Sequence, residues 1–231
     1  WQEIEQAMGG PAPDVFIREL RDCGALKLIL PEVDSLFGVP QPVKYHPEVD
    51  TGLHTLLSLQ QAAKLTDDPV VRYATLVHDV GKGVTDKDKW PSHYAHESLG
   101  LPLQADISKR LHVPNEFSKI AALVCEHHTK LHRIKELRPA TLLKLIEALD
   151  GFRRPERVQK FLLACEANAK GRTGLEKRDY PQNAYLTTIL NELSQLDLGA
   201  LLKEEKPKNP QEFVQQSRLN LLSDILARLN I

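Results

Sequence analysis

Apolar residues along this chain recur three and four positions apart, and strand-like alternation of apolar with polar residues is nearly absent. That periodicity restricts the fold to packed helices. Proline and glycine mark the boundaries. Pro114, Pro139, Pro155, Pro181 and Pro210 each stand at or just before a periodic segment. Asp67 or Asp68 followed by Pro69 supplies a cap and a first-turn proline. The spacing predicts helices over 12–22, 51–65, 69–80, 92–111, 115–132, 139–149, 156–170, 182–195 and 211–229. Gly24 closes the first, and Gly81 suits a left-handed closing position after the third. Residues 31–50 hold four prolines and read as loop, as does 83–90, while 203–208 reads as a lysine-rich linker or exposed turn.

The expected architecture is all-α, with one helical domain over 1–185, including an N-terminal lead-in, and a C-terminal helical extension over 186–231. A chain of 231 residues can bury one sizeable core. A net charge of -1 argues against a strongly basic nucleic-acid module but leaves room for a local basic patch. Three scattered cysteines offer no disulfide framework, which fits a reducing cytoplasm. No stretch has the apolar length of a membrane span. The chain opens on Trp1, the expectation for a piece of a longer protein.

Nine histidines raise the question of a metal. The sharpest unit is His78-Asp79 followed by Val80-Gly81-Lys82-Gly83. An imidazole nitrogen beside a carboxylate oxygen suits iron, manganese, cobalt, nickel or zinc. Lys82 could meet a substrate phosphate. His54 lies one helix earlier, and antiparallel packing of 51–65 on 69–80 would return it to His78. His93 and His96 are three apart in the next expected helix and share a face. His128 follows Phe117, Ala121 and Val124 at helical spacing and so faces inward. His96 and His128 are the candidates for a second metal. Each histidine taken singly is equally a hydrogen-bonded core or capping residue. Asn168 shares a face with Phe161 and Cys165, just before a turn that holds Arg172. Asp86-Lys87-Asp88 reads as a solvated turn, and no serine or cysteine sits in a nucleophile setting.

The order His54, His78-Asp79, His96, His128 resembles the HD superfamily of metal-dependent phosphohydrolases. Longer strings narrow it. PEVDSLFGVPQPVKYHPEVDTGLHTLL, YATLVHDVGKG, WPSHYAHE and CEANAKGRTG resemble the C-terminal HD domain of bacterial CCA-adding tRNA nucleotidyltransferases, over most of 12–185. The resemblance implies an HD-domain helical bundle without the nucleotidyltransferase head. It implies His54, His78, Asp79 and the position of Asn168 as metal ligands. Asp79, Lys82, His96 and His128 would be the catalytic set, with Lys82 and Arg172 on phosphate or RNA. The implied cofactor is a divalent metal (nickel, manganese, cobalt or magnesium). The implied activity is 2',3'-cyclic phosphodiesterase, 2'-nucleotidase or phosphatase chemistry on a phosphate ester or cyclic nucleotide, with tRNA the partner of the full-length protein. One departure stands out: the family has aspartate where this chain has Asn168. Two alternatives stand beside the hydrolase reading, the first favoured by that charge loss. One is a tRNA-binding or scaffolding domain with weakened chemistry, using Arg153, Arg154, Arg157, Arg172 and Lys177 as its basic patch. The other is an HD hydrolase acting on a free nucleotide.

Overall fold

The computed structural model describes residues 1–229, and among them thirteen α-helices form and no strand does, leaving one isolated bridge between Pro40 and Asp50. In chain order the helices are α1 (Gln2–Gly9), α2 (Pro13–Asp22), α3 (Leu26–Ile29), α4 (Pro31–Asp34), α5 (Thr51–Leu65), α6 (Pro69–Val77), α7 (His96–Arg110), α8 (Asn115–His132), α9 (Pro139–Ala148), α10 (Pro155–Lys170), α11 (Gln182–Ser194), α12 (Leu198–Glu205) and α13 (Pro210–Leu229). The fold class is all-α. The chain divides into two compact units, Trp1–Thr129 with Gln159–Tyr180, and Lys130–Val158 with Pro181 to the C-terminus. Among the described residues no helix is long and apolar enough to cross a membrane.

The caps explain where the central helices begin. Asp50 accepts from Leu53 N at 2.8 Å and starts α5; Asp68 accepts from Val70 N at 2.8 Å and starts α6 with Pro69 in its first turn. Asp67 instead pairs with the buried guanidinium of Arg72 at 2.9 Å. That guanidinium also donates to the carbonyls of Met8, Gly10, Ala63 and Thr66, so one side chain satisfies backbone ends from α1, α5 and the loop before α6.

Several expected boundaries move. The helix expected over 69–80 stops at Val77, with His78 at its end and Asp79 outside it; Val80–Val84 then form a 3-10 turn. Gly81 is not the left-handed closing residue, since positive φ among glycines is confined to Gly24, Gly38 and Gly174. Its role is close approach. A Cβ there would lie 2.0 Å from the His96 carbonyl oxygen and 2.6 Å from Gly100 N. The backbone of α7 therefore rests directly on the turn after α6. The helix expected over 92–111 starts only at His96, because His93 and Ala95 adopt left-handed backbone, φ 47° and 61°. His93 thus stands in a turn, not on a helix face with His96. Short α1 and α3 form where no helix was expected; α4, opened by Pro31 in its first turn, forms inside the expected loop 31–50, and α12 takes in the first part of the expected linker 203–208.

The Gly81 contact yields the first prediction. Gly81→Ala forces backbone against backbone, and overpacking of this kind costs about 3 kcal/mol. A fall in unfolding midpoint of roughly 6–12 °C is expected in a thermal melt. An unchanged midpoint would mean that the turn and α7 can separate without loss.

Candidate metal centre

Four imidazoles from four helical segments converge on Asp79. His54 comes from α5, His78 from the end of α6, His96 from the first residue of α7 and His128 from α8. The ring centroids of His54 and His78 are 5.8 Å apart, those of His78 and His128 5.2 Å, and those of His96 and His128 5.4 Å. Asp79 Oδ2 lies 3.2 Å from His78 Nε2 and 4.0 Å from His54 Nε2. Its Oδ1 lies 3.4 Å from His96 Nε2 and 3.6 Å from His128 Nε2. Asp79 is 1% exposed, so these neighbours, and not bulk solvent, surround its carboxylate.

The other ring nitrogens explain the orientation. Nδ1 of His78 meets the Thr75 carbonyl at 2.7 Å, Nδ1 of His96 the His93 carbonyl at 3.0 Å, and Nδ1 of His128 the Val124 carbonyl at 2.9 Å. Nδ1 of His54 meets the Gly171 carbonyl at 3.0 Å. A carbonyl can only accept, so each Nδ1 carries a proton, and each ring, where it holds no second one, presents Nε2 as an acceptor. His96 and His128 then face each other through two acceptors at 3.4 Å. Buried acceptors aimed at one another and at a carboxylate are costly unless a cation lies among them. The orphans agree: His78 Nε2, Asp79 Oδ1 and the Asn168 amide oxygen are buried without a hydrogen-bond partner. The sets His54–His78–Asp79 and Asp79–His96–His128 can each gather ligand atoms within 4.8 Å of one another. Imidazole and carboxylate together are a donor set for a divalent transition ion, and the cluster is able to hold one.

Lys82, on the same turn as Asp79, points back into the cluster. Its Nζ donates to Asp79 Oδ2 at 2.7 Å and to the Gln41 amide oxygen at 2.6 Å. Burial would raise the Asp79 carboxyl, but positive charge beside it, that of His78 when protonated and that of the Lys82 ammonium, outweighs burial and holds the group well below the usual carboxylate range. Burial lowers His54 to about 4, against the hydrogen bond it donates to Glu48, which opposes the fall, so this ring is neutral at pH 7. Arg172 follows the end of α10 and is part-buried; burial lowers its pKa, and the charges of Asp79 and Glu48 oppose that fall. Asn168 sits one turn earlier, 3% exposed. Close approach again makes this possible: a Cβ on Gly171 would fall 2.4 Å from Ser58 Cα of α5.

His93 is braced at both nitrogens, by Thr85 Oγ1 and the Pro40 carbonyl, each at 2.7 Å. Arg153, Arg154 and Arg157 all surround Asp150, at 2.7, 3.4 and 3.9 Å. The cysteines are free thiols, and burial pushes Cys125 up to about 12, which removes it as a nucleophile. Sequence reasoning missed His46, Glu48 and Gln41. Glu48 Oε1 lies 3.0 Å from both His46 Nδ1 and His54 Nδ1. Burial would raise its carboxyl, but the hydrogen bonds from those two rings outweigh it and keep it ionised. The available signal was His46-Pro47-Glu48 just before the Asp50 cap, hidden by its proline-rich setting.

Comparison with known proteins follows this geometry. The HD domain family matches residues 51–154, which contain His54, His78, Asp79, Lys82, His96 and His128 but not His46, Glu48, Asn168 or Arg172. The multifunctional CCA protein of Teredinibacter turnerae is 50% identical over 206 residues, covering 89% of this chain and 50% of that protein. The multifunctional CCA protein of Thioalkalivibrio sulfidiphilus is 53% identical over 186 residues, covering 80% and 46%, and that of Vibrio campbellii 48% identical over 204 residues, covering 88% and 50%. The chain spans about half the length of the curated relatives it matches.

The orphaned amide oxygen of Asn168 yields the second prediction. Asn168→Asp adds a formal charge beside a cationic site with little change in shape. Divalent-ion affinity is expected to rise at least about tenfold by calorimetric titration, or 1.4 kcal/mol. An unchanged or weaker affinity would remove residue 168 from the ligand set.

Proposed function

Because this chain belongs to the HD-domain family through residues 51–154, we propose that it hydrolyses a phosphate ester with the help of a divalent metal. The observation that carries this reading is the set of Nδ1-anchored imidazoles directed at Asp79. His54, His78 and Asp79 would hold the ion, with Asn168 as a neutral fourth donor. His96 and His128 would complete a second site on Oδ1 of Asp79 or line the substrate. Such an ion, when bound, supplies Lewis-acid polarisation of a phosphoryl oxygen and lowers the pKa of an attacking water.

The protein groups supply the rest. Lys82 and Arg172 are the two cations near the acids, and both would offset charge that develops on the phosphoryl oxygens. Lys82 would leave Asp79 Oδ2 and turn its ammonium to the phosphate. The His96 side chain is 11% exposed against 3% for His128, so His96 is the ring that substrate would reach; its Nε2 would take a proton from the attacking water and pass that proton to the leaving oxygen. The substrate class proposed is a 2',3'-cyclic phosphate, a 2'-phosphomonoester or a nucleotide phosphate at an RNA end. The metal proposed is nickel, manganese, cobalt or magnesium.

The relatives are named multifunctional CCA proteins, and this chain covers about half of them. We therefore place the proposed hydrolysis in tRNA 3'-end maturation, with tRNA as partner. The rival reading, a tRNA-binding domain without chemistry, rests on Asn168. The other buried ligand-type residues remain in place around Asp79, which favours retained hydrolysis.

The test is turnover of 2',3'-cyclic AMP by the purified chain with added nickel, manganese or cobalt. Hydrolysis that is lost on chelation is expected, together with a fall of at least about 10³-fold in Asp79→Ala, equivalent to about 4 kcal/mol of barrier. No turnover with any of these metals, or an unaltered rate in the variant, would remove the proposal. Metal-free protein that still binds tRNA, with affinity falling steeply with salt, would favour the rival.

A further inference from the structure

Glu48 has three partners and no part in the chemistry described so far. One oxygen, Oε1, is shared by Nδ1 of His46 and Nδ1 of His54, both at 3.0 Å. The other, Oε2, accepts from Thr173 N at 3.2 Å. Its side chain is 3% exposed. The rings of His46 and His54 stand edge to face with centroids 4.6 Å apart.

His46, Glu48 and His54 could themselves be taken for a metal site, since their ligand atoms lie close together. The protons argue otherwise. Nδ1 of His54 also meets the Gly171 carbonyl at 3.0 Å, so it carries a proton and cannot ligate. Nδ1 of His46 carries one as well, because it is hydrogen-bonded to a carboxylate. The cluster is therefore a hydrogen-bonded buttress behind His54.

We propose that Glu48 is a positioning residue, which fixes the His54 ring with Nε2 towards Asp79 and ties that ring to the loop that carries Arg172. A carboxylate behind a ligating imidazole sets its tautomer, limits its rotation and makes its far nitrogen a better donor. The bond to Thr173 N extends the same constraint to the residue beside Arg172. One buried carboxylate thus connects a metal ligand to a phosphate contact. His46, the outer member, orients Glu48 in turn. This inference rests on the proposed metal centre, and its test separates the two.

The experiment is titration of the full chain with Mn²⁺ by calorimetry and with Co²⁺ by visible absorption, for wild type, Glu48→Ala, Glu48→Gln and Asp79→Ala. Wild type is expected to bind and Asp79→Ala to lose binding. Glu48→Ala is expected to bind about 10- to 100-fold more weakly, with shifted cobalt bands, while the metal-free protein keeps its helical circular dichroism. Glu48→Gln should recover part of the affinity, because its amide oxygen still accepts from Nδ1. Wild-type affinity and an unaltered cobalt spectrum in Glu48→Ala would overturn the inference and leave the metal centre standing. So would the loss of one whole ion with the remaining affinity unchanged, since Glu48 would then be a ligand of a separate site. If wild type takes up neither ion, the metal centre falls and this inference with it. Should Glu48→Ala fail to fold, Glu48→Gln decides: weaker binding supports the inference and unchanged binding overturns it.

Discussion

The site depends on where four protons sit. Each of His54, His78, His96 and His128 gives its Nδ1 proton to a backbone carbonyl, from Gly171, Thr75, His93 and Val124 respectively. Three of those carbonyls lie within four residues of the ring they hold, so the helix or turn that carries the imidazole also orients it. Only His54 depends on a distant segment. Its carbonyl comes 117 residues later in the chain, and its ring also needs Glu48. The consequence is a set of acceptors directed at one buried carboxylate. Folding brings these groups together against their own electrostatics, and a bound cation would turn that conflict into coordination.

Two glycines set the distances at which this can happen. Gly81 lets the α7 backbone rest on the turn after α6, so His96 arrives beside Asp79. Gly171 lets the end of α10 meet α5, so its carbonyl reaches His54. A Cβ at either position would meet the facing helix at 2.4 Å or less, so the two segments would have to separate. The packing of the bundle and the chemistry of its centre are thus one constraint, exerted through backbone contacts that leave little trace in hydrophobic pattern.

Much of the helical order was legible because period and punctuation agreed. Asp68-Pro69, Pro139 and Pro210 stand where helices start, and α8 keeps the limits that its spacing predicts. His54, His78-Asp79, His96 and His128 were legible as a set through their order along the chain, and they lie together in space. What stayed hidden has physical reasons. The helix over 69–80 stops early because α7 lies against its last turn, which is tertiary contact and not local preference. His93 left the helix face for the same kind of reason, since the left-handed turn that delivers His96 removes it. His46 and Glu48 sit in a proline-rich segment with no periodicity, so nothing local assigns them a face.

The charge balance links these residues to the proposed chemistry. Asp79 and Glu48 are the buried acids; Lys82 pairs with Asp79 at 2.7 Å, and Arg172 is the other cation whose charge acts on both. The protein groups alone are therefore close to neutral. A divalent ion would add two positive charges with no protein carboxylate left to offset them, because Asn168 brings an oxygen without a charge. A phosphate ester carries the missing negative charge. In this chain, unlike one with aspartate at residue 168, ion and phosphate would each favour the binding of the other. Lys82 is placed to respond, since an ion at Asp79 Oδ2 displaces its ammonium from the carboxylate, and a phosphate gives that ammonium a new partner.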